Sequence, residues 1–213
     1  MMIICLYLLY PLSPFLTITD GDYYDYLQFE SDFALLSQLG IRMYILPRLK
    51  PEKKKVSFGE MALLKVTPWN FTSYDRIQYL DGDVLPTKSL DCYFQLDHNA
   101  FNTGNASPLN SGWYMAIPNI SLYQKMRQLA ILRLATPWDE VNGWGTVIPK
   151  GGVTFRNNGK VVSKWDFNGA SLDQGIRINK HIYSFLSSKT HPVNILFSSL
   201  PPFFPFHFLL SRC

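Results

Sequence analysis

Cysteine is scarce in this chain. Cys5, Cys92 and Cys213 stand far apart, are odd in number and show no metal-ligand spacing. Neither a disulfide framework nor a cysteine-held metal is indicated, and whether a single bridge forms is a question that spacing does not decide. Charge is also scarce, with Asp, Glu, Lys and Arg at 17% and a net charge of +4. No basic stripe with interleaved aromatics occurs, so a nucleic-acid partner is not expected. The densest basic cluster, Lys53, Lys54 and Lys55, reads as solvated surface, although a phosphate-rich ligand would welcome it. No long apolar run is free of proline. Residues 2–16 contain Pro11 and Pro14 and lack a basic leader, which leaves a secretory signal and a buried strand as equal readings. Residues 193–210 are broken by Pro201, Pro202 and Pro205, which argues against a spanning helix and leaves membrane association open. There is no internal repeat and no low-complexity tract. What is present is a 47% apolar, 15% aromatic chain, able to build a core and unlike a disordered one. The expected organisation is one domain over residues 1–190 and an apolar tail over 191–213.

The pattern of elements is α/β. Phe15–Thr19 alternates as a strand, and Asp20-Gly21-Asp22 follows as a turn. Phe33, Leu36 and Leu39 recur at helical spacing, with Ser31 to cap the start and Gly40 the end. Ile41–Leu46 is a second strand, stopped by Pro47. Ser57 and Glu60 have capping-box spacing ahead of a short helix that reaches about Val66. Arg76–Leu80 is expected to be a parallel strand that delivers Asp81-Gly82-Asp83 at its end, where α/β proteins place ligand chemistry. Residues 98–108 read as loop and Trp113–Ile117 as strand. Ser121 and Gln124 repeat the capping box before a helix of about three turns, closed by Pro137. Residues 142–168, rich in Gly, Asn and Trp, read as irregular with short strands. Trp138, Trp144 and Trp165 there are candidates to stack on a sugar face, with buried packing the expected role of at least one.

Two carboxylates two apart in an extended segment point the same way, so Asp81 and Asp83 can share a hard divalent cation. Gly82 between them permits close approach of a ligand to the backbone. The same triplet at Asp20-Gly21-Asp22 shows how readily it arises as a turn. The surroundings set the second copy apart. Lys65 precedes Val66-Thr67-Pro68-Trp69-Asn70, then comes the strand with Leu80-Asp81-Gly82-Asp83, then Leu90-Asp91 and Phe94, then Leu109-Asn110-Ser111-Gly112, and later Leu172-Asp173-Gln174-Gly175 with Asn179 beyond.

In that order these blocks resemble glycosyltransferase family 8, the glycogenin-like and related galactosyl- and glucuronosyltransferases. They correspond to the family's lysine, L-D-x-D, F-N-S-G (with Leu for Phe) and D-Q-G segments, over a little over half of the chain. The resemblance implies a GT-A-type nucleotide-diphospho-sugar transferase fold, a Rossmann-like mixed sheet flanked by helices. It implies a transferase moving a hexosyl or hexuronosyl unit, with retention, from a UDP-sugar to a glycan, lipid or protein acceptor. Asp81 and Asp83 would bind Mn²⁺ or Mg²⁺. Lys65, Asp81, Gly82, Asp83, Asn110, Ser111 and Gly112 would line the donor, and Asp173 and Gln174 would stand near the anomeric carbon as the catalytic pair. Retention is compatible with a double displacement through Asp173 or Gln174, or with a front-face route that needs only charge stabilisation.

Two departures bear on that reading. The family's opening strand and glycine-containing loop have no clear counterpart before Lys65, and its H-x-x-G-x-K-P-W block is absent. The remaining late histidines, His181, His191 and His207, lack that context. The expected metal set is then one protein ligand short, and the chain is expected to be an incomplete member of the family. A relative that keeps the fold as a nucleotide-sugar or glycan binding module is the alternative, and a metal-dependent hydrolase using the two aspartates is a third reading. Sequons at Asn70, Asn105 and Asn119 matter only in a secretory compartment; the secretory pathway, Golgi included, is the expected location ahead of the cytoplasm.

Overall fold

The computed structural model describes residues 5–9, 16–19, 34–35, 37–38, 42–46, 49, 58–81, 84, 87, 89–102, 104, 106–144, 153–154 and 161–179. A six-stranded sheet organises them, built from β1 (Cys5–Leu9), β2 (Leu16–Thr19), β3 (Arg42–Ile45), β4 (Ile77–Leu80), β5 (Ala100–Asn102) and β6 (Asn110–Ala116) in the order β3-β2-β1-β4-β6-β5. The chain is mixed α/β, as its element pattern suggests. Residues 2–16 contain β1, an interior strand between β2 and β4, which is the strand reading of that stretch.

Strand direction is the main correction. β4 was expected to be parallel, yet it pairs antiparallel with both β1 and β6. The parallel pair among the described strands of this sheet is β2 with β3, and residues 34, 35, 37 and 38 between them are helical. A parallel pair needs a crossover of this kind, whereas β4 and β6 need none. β4 is buried on both faces, a pattern that is compatible with either strand direction. Ile77 and Tyr79 face the main core with Tyr114 and Ala116, while Leu80 faces a second cluster with Leu90, Trp113 and Met115. Gln78, fully buried on that second side, donates to Leu90 O at 2.6 Å and accepts from Trp113 Nε1 at 3.2 Å, so its burial leaves no amide group stranded.

Two helices cover the main-core face. α1 (Phe58–Leu64) is shorter than the expected run to Val66, because a 3-10 turn over Thr67–Asn70 begins with Pro68 at its start. Ser57, the other half of the expected capping box, lies outside the described residues, and Glu60 Oε1 accepts the Leu49 N–H at 2.9 Å in a buried tertiary contact. α2 (Ile120–Ala135) is longer than expected and is capped by Asn119, not Ser121. Asn119 is extended (φ −155°, ψ 109°) after Pro118, and its Oδ1 accepts the Leu122 N–H at 2.9 Å. Ser121 is already one turn position too deep to play that part. Met126 and Ala130 are the buried residues of α2, and Arg133 Nη1 donates to Thr136 O at 2.8 Å where the helix stops before Pro137.

The region read as loop, 98–108, contains β5, paired along β6. The expected short strands appear as a hairpin, β7 (Val153–Thr154) with β8 (Val161–Val162). Asp139 turns the chain before it. Its carboxylate accepts the Val141 N–H at 2.8 Å and bonds Asn142, which holds the carboxyl below its ordinary range. Trp144 and Trp165 are buried, and Trp144 Nε1 donates to Ala170 O at 2.7 Å; packing is the role the structure shows for both. Cys92 is disulfide-bonded. Among the described residues no helix is long and apolar enough to cross a membrane. The 20–22 turn, the Lys53–Lys55 cluster, the late histidines and the 191–213 tail lie outside the described residues.

If Asn119 carries the start of α2, Asn119→Ala lowers unfolding free energy by about 1 kcal/mol, while Ser121→Ala changes it by only a few tenths. Denaturant titration of the two variants measures both.

Candidate functional site

The site forms where β4 ends beside the beginning of β6. Asp81 follows the last residue of β4 and donates its N–H to Gly112 O at 2.8 Å, so the ladder continues one step past the paired strands. Its side chain leaves on the same side as Tyr79, two residues back, as strand alternation requires. Tyr79 accordingly donates its hydroxyl to Asp81 Oδ1 at 2.5 Å. Lys65, just past α1, reaches the same carboxylate: Nζ lies 2.6 Å from Oδ1 and 2.7 Å from Oδ2. The two side chains are 12% and 23% exposed, enough enclosure for the pair to be held and enough opening for a ligand to meet it. The ammonium also stands 5.5 Å from the centre of the Tyr79 ring.

Asn110, Ser111 and Gly112 open β6 instead of forming a turn. Asn110 Oδ1 accepts the Gly112 N–H at 2.7 Å, and Ser111 is buried. A side chain at Gly112 would start 3.0 Å from Asn110 Oδ1, 3.4 Å from Val84 and 3.8 Å from Asp81 Oδ2. The glycine therefore keeps the backbone of β6 open toward the carboxylate, and Lys65, Asp81 and residues 110–112 come together as the sequence suggested. Gly82 and Asp83 lie outside the described residues.

The D-Q-G block opens a helix whose Arg177 reaches the Lys65 carbonyl. Residues 173–179 are helical, with Asp173 at the start. Asp173 is buried, and its Oδ2 lies 3.0 Å from Arg177 Nη2 one turn later. The Gln174 amide nitrogen, in the orientation its neighbours demand, lies 2.6 Å from Leu109 O, 2.6 Å from Ser107 Oγ and 3.1 Å from Asn168 O. It ties the approach to β6 to the segment before the helix. Gly175 is required by crowding, since a Cβ there would fall 1.8 Å from Ala170 O. Asn179 donates to Trp144 O at 2.9 Å.

Sequence reasoning missed Tyr79, Tyr114 and Arg177. Tyr79 was legible in principle, being at the i−2 position from Asp81 on one strand face. Tyr114 lies opposite it, ring centroids 4.6 Å apart, and donates its hydroxyl to Lys65 O at 2.5 Å. Arg177 is fully buried, 4.0 Å above the Tyr114 ring, and its Nη2 also donates to Lys65 O at 3.2 Å. No sequence signal marks an arginine for complete burial, because burial of a cation depends on partners supplied from other elements.

For Mn²⁺ or Mg²⁺ the described residues supply one suitable hard oxygen donor, the Asp81 carboxylate. No group of three or more His, Cys, Asp or Glu side chains gathers among them. The remaining ligands of any cation would come from Asp83, from other residues outside the described ones, or from the bound molecule. What the described geometry does by itself is present one ammonium and one carboxylate, already neutralised against each other, at an open strand end.

The Lys65–Asp81 pair should couple by about 1 kcal/mol in a double-mutant cycle of Lys65→Met and Asp81→Asn. Raising salt should shrink that coupling, since the pair is partly open to solvent. Denaturant unfolding of the four proteins at low and high salt measures it.

The chain is 27% identical over 92 residues to a protein of Arabidopsis thaliana named "Putative UDP-glucuronate:xylan alpha-glucuronosyltransferase 5". The match covers 43% of this chain and 16% of the relative, so it spans about a sixth of that protein's length. No family model and no solved structure matches the chain. The chain is thus distantly similar to a plant glycosyltransferase.

Proposed function

We propose that this chain is a glycosyltransferase of the family 8 kind, with a GT-A-type fold, that takes a hexuronosyl or hexosyl unit from a UDP-sugar. UDP-glucuronate is the first donor to consider and a glycan the first acceptor. The observation that carries the reading is the Lys65–Asp81 pair set against Gly112 at the end of β4. A diphosphate is a strong competitor for an ammonium that is otherwise held by one carboxylate. On arrival it takes the Lys65 charge, which is where negative charge builds as the sugar bond breaks and the nucleotide leaves. Asp81 is released in the same exchange. With Asp83 it would offer oxygen donors to Mn²⁺ or Mg²⁺, and such a cation, when bound, would neutralise the same diphosphate. Asn110, Ser111 and Gly112 would place the donor against the strand end by backbone and short polar contacts.

Retention is proposed to follow the front-face route. Asp173 is buried against Arg177 and Gln174 is committed to the 107–109 and 168 backbone, so charge stabilisation and positioning have more geometric support than a protein nucleophile.

The test is titration calorimetry of the full chain with UDP and UDP-glucuronate, with and without Mn²⁺, followed by an assay for donor hydrolysis or transfer. Lys65→Met should weaken UDP binding about ten-fold or more, the loss expected for one hydrogen bond to a charged group. Asp81→Asn should abolish the metal-dependent part of binding and turnover. Binding without turnover would mean a nucleotide-sugar binding module, and a wild-type protein that binds no UDP-sugar would defeat the proposal.

A further inference from the structure

The buried Asp173–Arg177 pair is not explained by a place beside the donor. Arg177 is 0% exposed and Asp173 is 3% exposed. The guanidinium carbon stands over Tyr114, 4.0 Å from the ring centre, and 5.7 Å from that of Trp69. Among the described residues Nε and Nη1 have no acceptor, so the hydrogen-bonding end of the group is Nη2, which bonds the Lys65 carbonyl and meets Asp173 as an ion pair without a hydrogen bond. That one nitrogen meets two oxygens: Asp173 Oδ2 at 3.0 Å and Lys65 O at 3.2 Å. Tyr114 Oη adds a second donor to the same carbonyl at 2.5 Å.

Lys65 is a residue whose backbone needs this help. It follows the last residue of α1, and its N–H donates to Ala62 O at 3.2 Å. Its side chain is a flexible four-carbon stem, so where the ammonium can rest depends on where the backbone is anchored. Two donors from two other elements, β6 and the 173–179 helix, converge on that anchor. On the other side of the same stack, Tyr79 lies 4.6 Å from Tyr114 and holds Asp81. Arg177, Tyr114, Tyr79 and the Lys65 ammonium thus form one ladder that fixes both ends of the ion pair.

We propose that Asp173 and Arg177 are positioning residues for Lys65: with the Tyr114 hydroxyl they clamp its carbonyl and thereby set its ammonium against Asp81, and Asp173 itself does not meet the donor. The pair is buried because its work is done behind the site. A buried pair broken on one side is costly, which makes the clamp stiff. This inference takes its functional meaning from the proposed donor site, but the clamp can be read in the ligand-free protein.

The experiment is amine acylation of the full chain followed by mass spectrometry, measuring the modification rate of Lys65 in wild type, Tyr114→Phe, Arg177→Lys and Asp173→Asn. Each variant keeps side-chain size near the original, and Tyr114→Phe keeps the ring stack. Each should raise the Lys65 rate about five-fold, the factor that follows from losing about 1 kcal/mol of hydrogen bonding. Asn119→Ala, which loosens α2 without touching the clamp, should leave the Lys65 rate at the wild-type value. Titration of UDP should then show a similar loss of affinity in Tyr114→Phe and Arg177→Lys. Wild-type Lys65 rates in both Tyr114→Phe and Arg177→Lys would overturn the clamp, as would an equal rise in Asn119→Ala. If Asp173→Asn abolishes sugar transfer while Lys65 labels as in wild type, Asp173 is a catalytic residue and its assignment here is wrong. If wild type binds no UDP, the donor reading fails while the labelling still decides the clamp.

Discussion

One ion pair sets the geometry of this site. Lys65 and Asp81 come from segments that meet where Trp69 of the 3-10 turn stacks on Tyr114 of β6. Everything near the pair serves to hold its two ends at contact distance. Tyr79 fixes the carboxylate, Tyr114 and Arg177 fix the lysine backbone, and Gly112 keeps the strand end clear of side chains. An opposed pair of this kind, partly open to water, contributes little to stability. Its chemical interest is that either member can be claimed by a ligand of the right sign.

The core explains why such a site can be rigid. β4 is buried on both faces, so the residue that follows it has little freedom. The main-core face carries a stack in which Trp69, Tyr114 and Tyr79 lie nearly parallel, with ring centroids 5.4 and 4.6 Å apart. Aromatic stacks combine large buried area with hydroxyl groups that can reach polar partners at the rim. Here both hydroxyls are spent on the pair, one on each end. The packing of the core and the placement of the charged groups are the same set of contacts.

Much of this could be read from the chain. Alternation marks the strand around β2, apolar runs stopped by proline mark those around β3 and β6, and helical spacing marks α2. The acidic residue beyond Leu80 and the Asn110–Gly112 segment are legible in the sequence, and they meet at Gly112. Strand direction was not legible, because a strand covered on both faces looks the same whichever way its neighbours run. The cap of α2 was misassigned since Asn119 and Ser121 are both good capping residues, and the extended backbone at Asn119 is what chooses between them. β5 was hidden in a polar segment whose pairing comes from β6. Arg177 was invisible for a deeper reason: a buried arginine is made acceptable by Asp173, Tyr114 and Lys65, residues that approach it only in the folded chain. Asp173 itself was seen, but its burial was not.

The account stands on the strand end beyond β4 being a place where a nucleotide diphosphate is received. The most direct measurement is a titration of isotope-labelled protein with UDP, following backbone amide resonances. The account predicts saturable shifts at Lys65, Asp81, Ser111 and Gly112, all with one dissociation constant, while Val161 and Val162 stay in place. Shifts that spare those four amides, or no shifts at all, would contradict it.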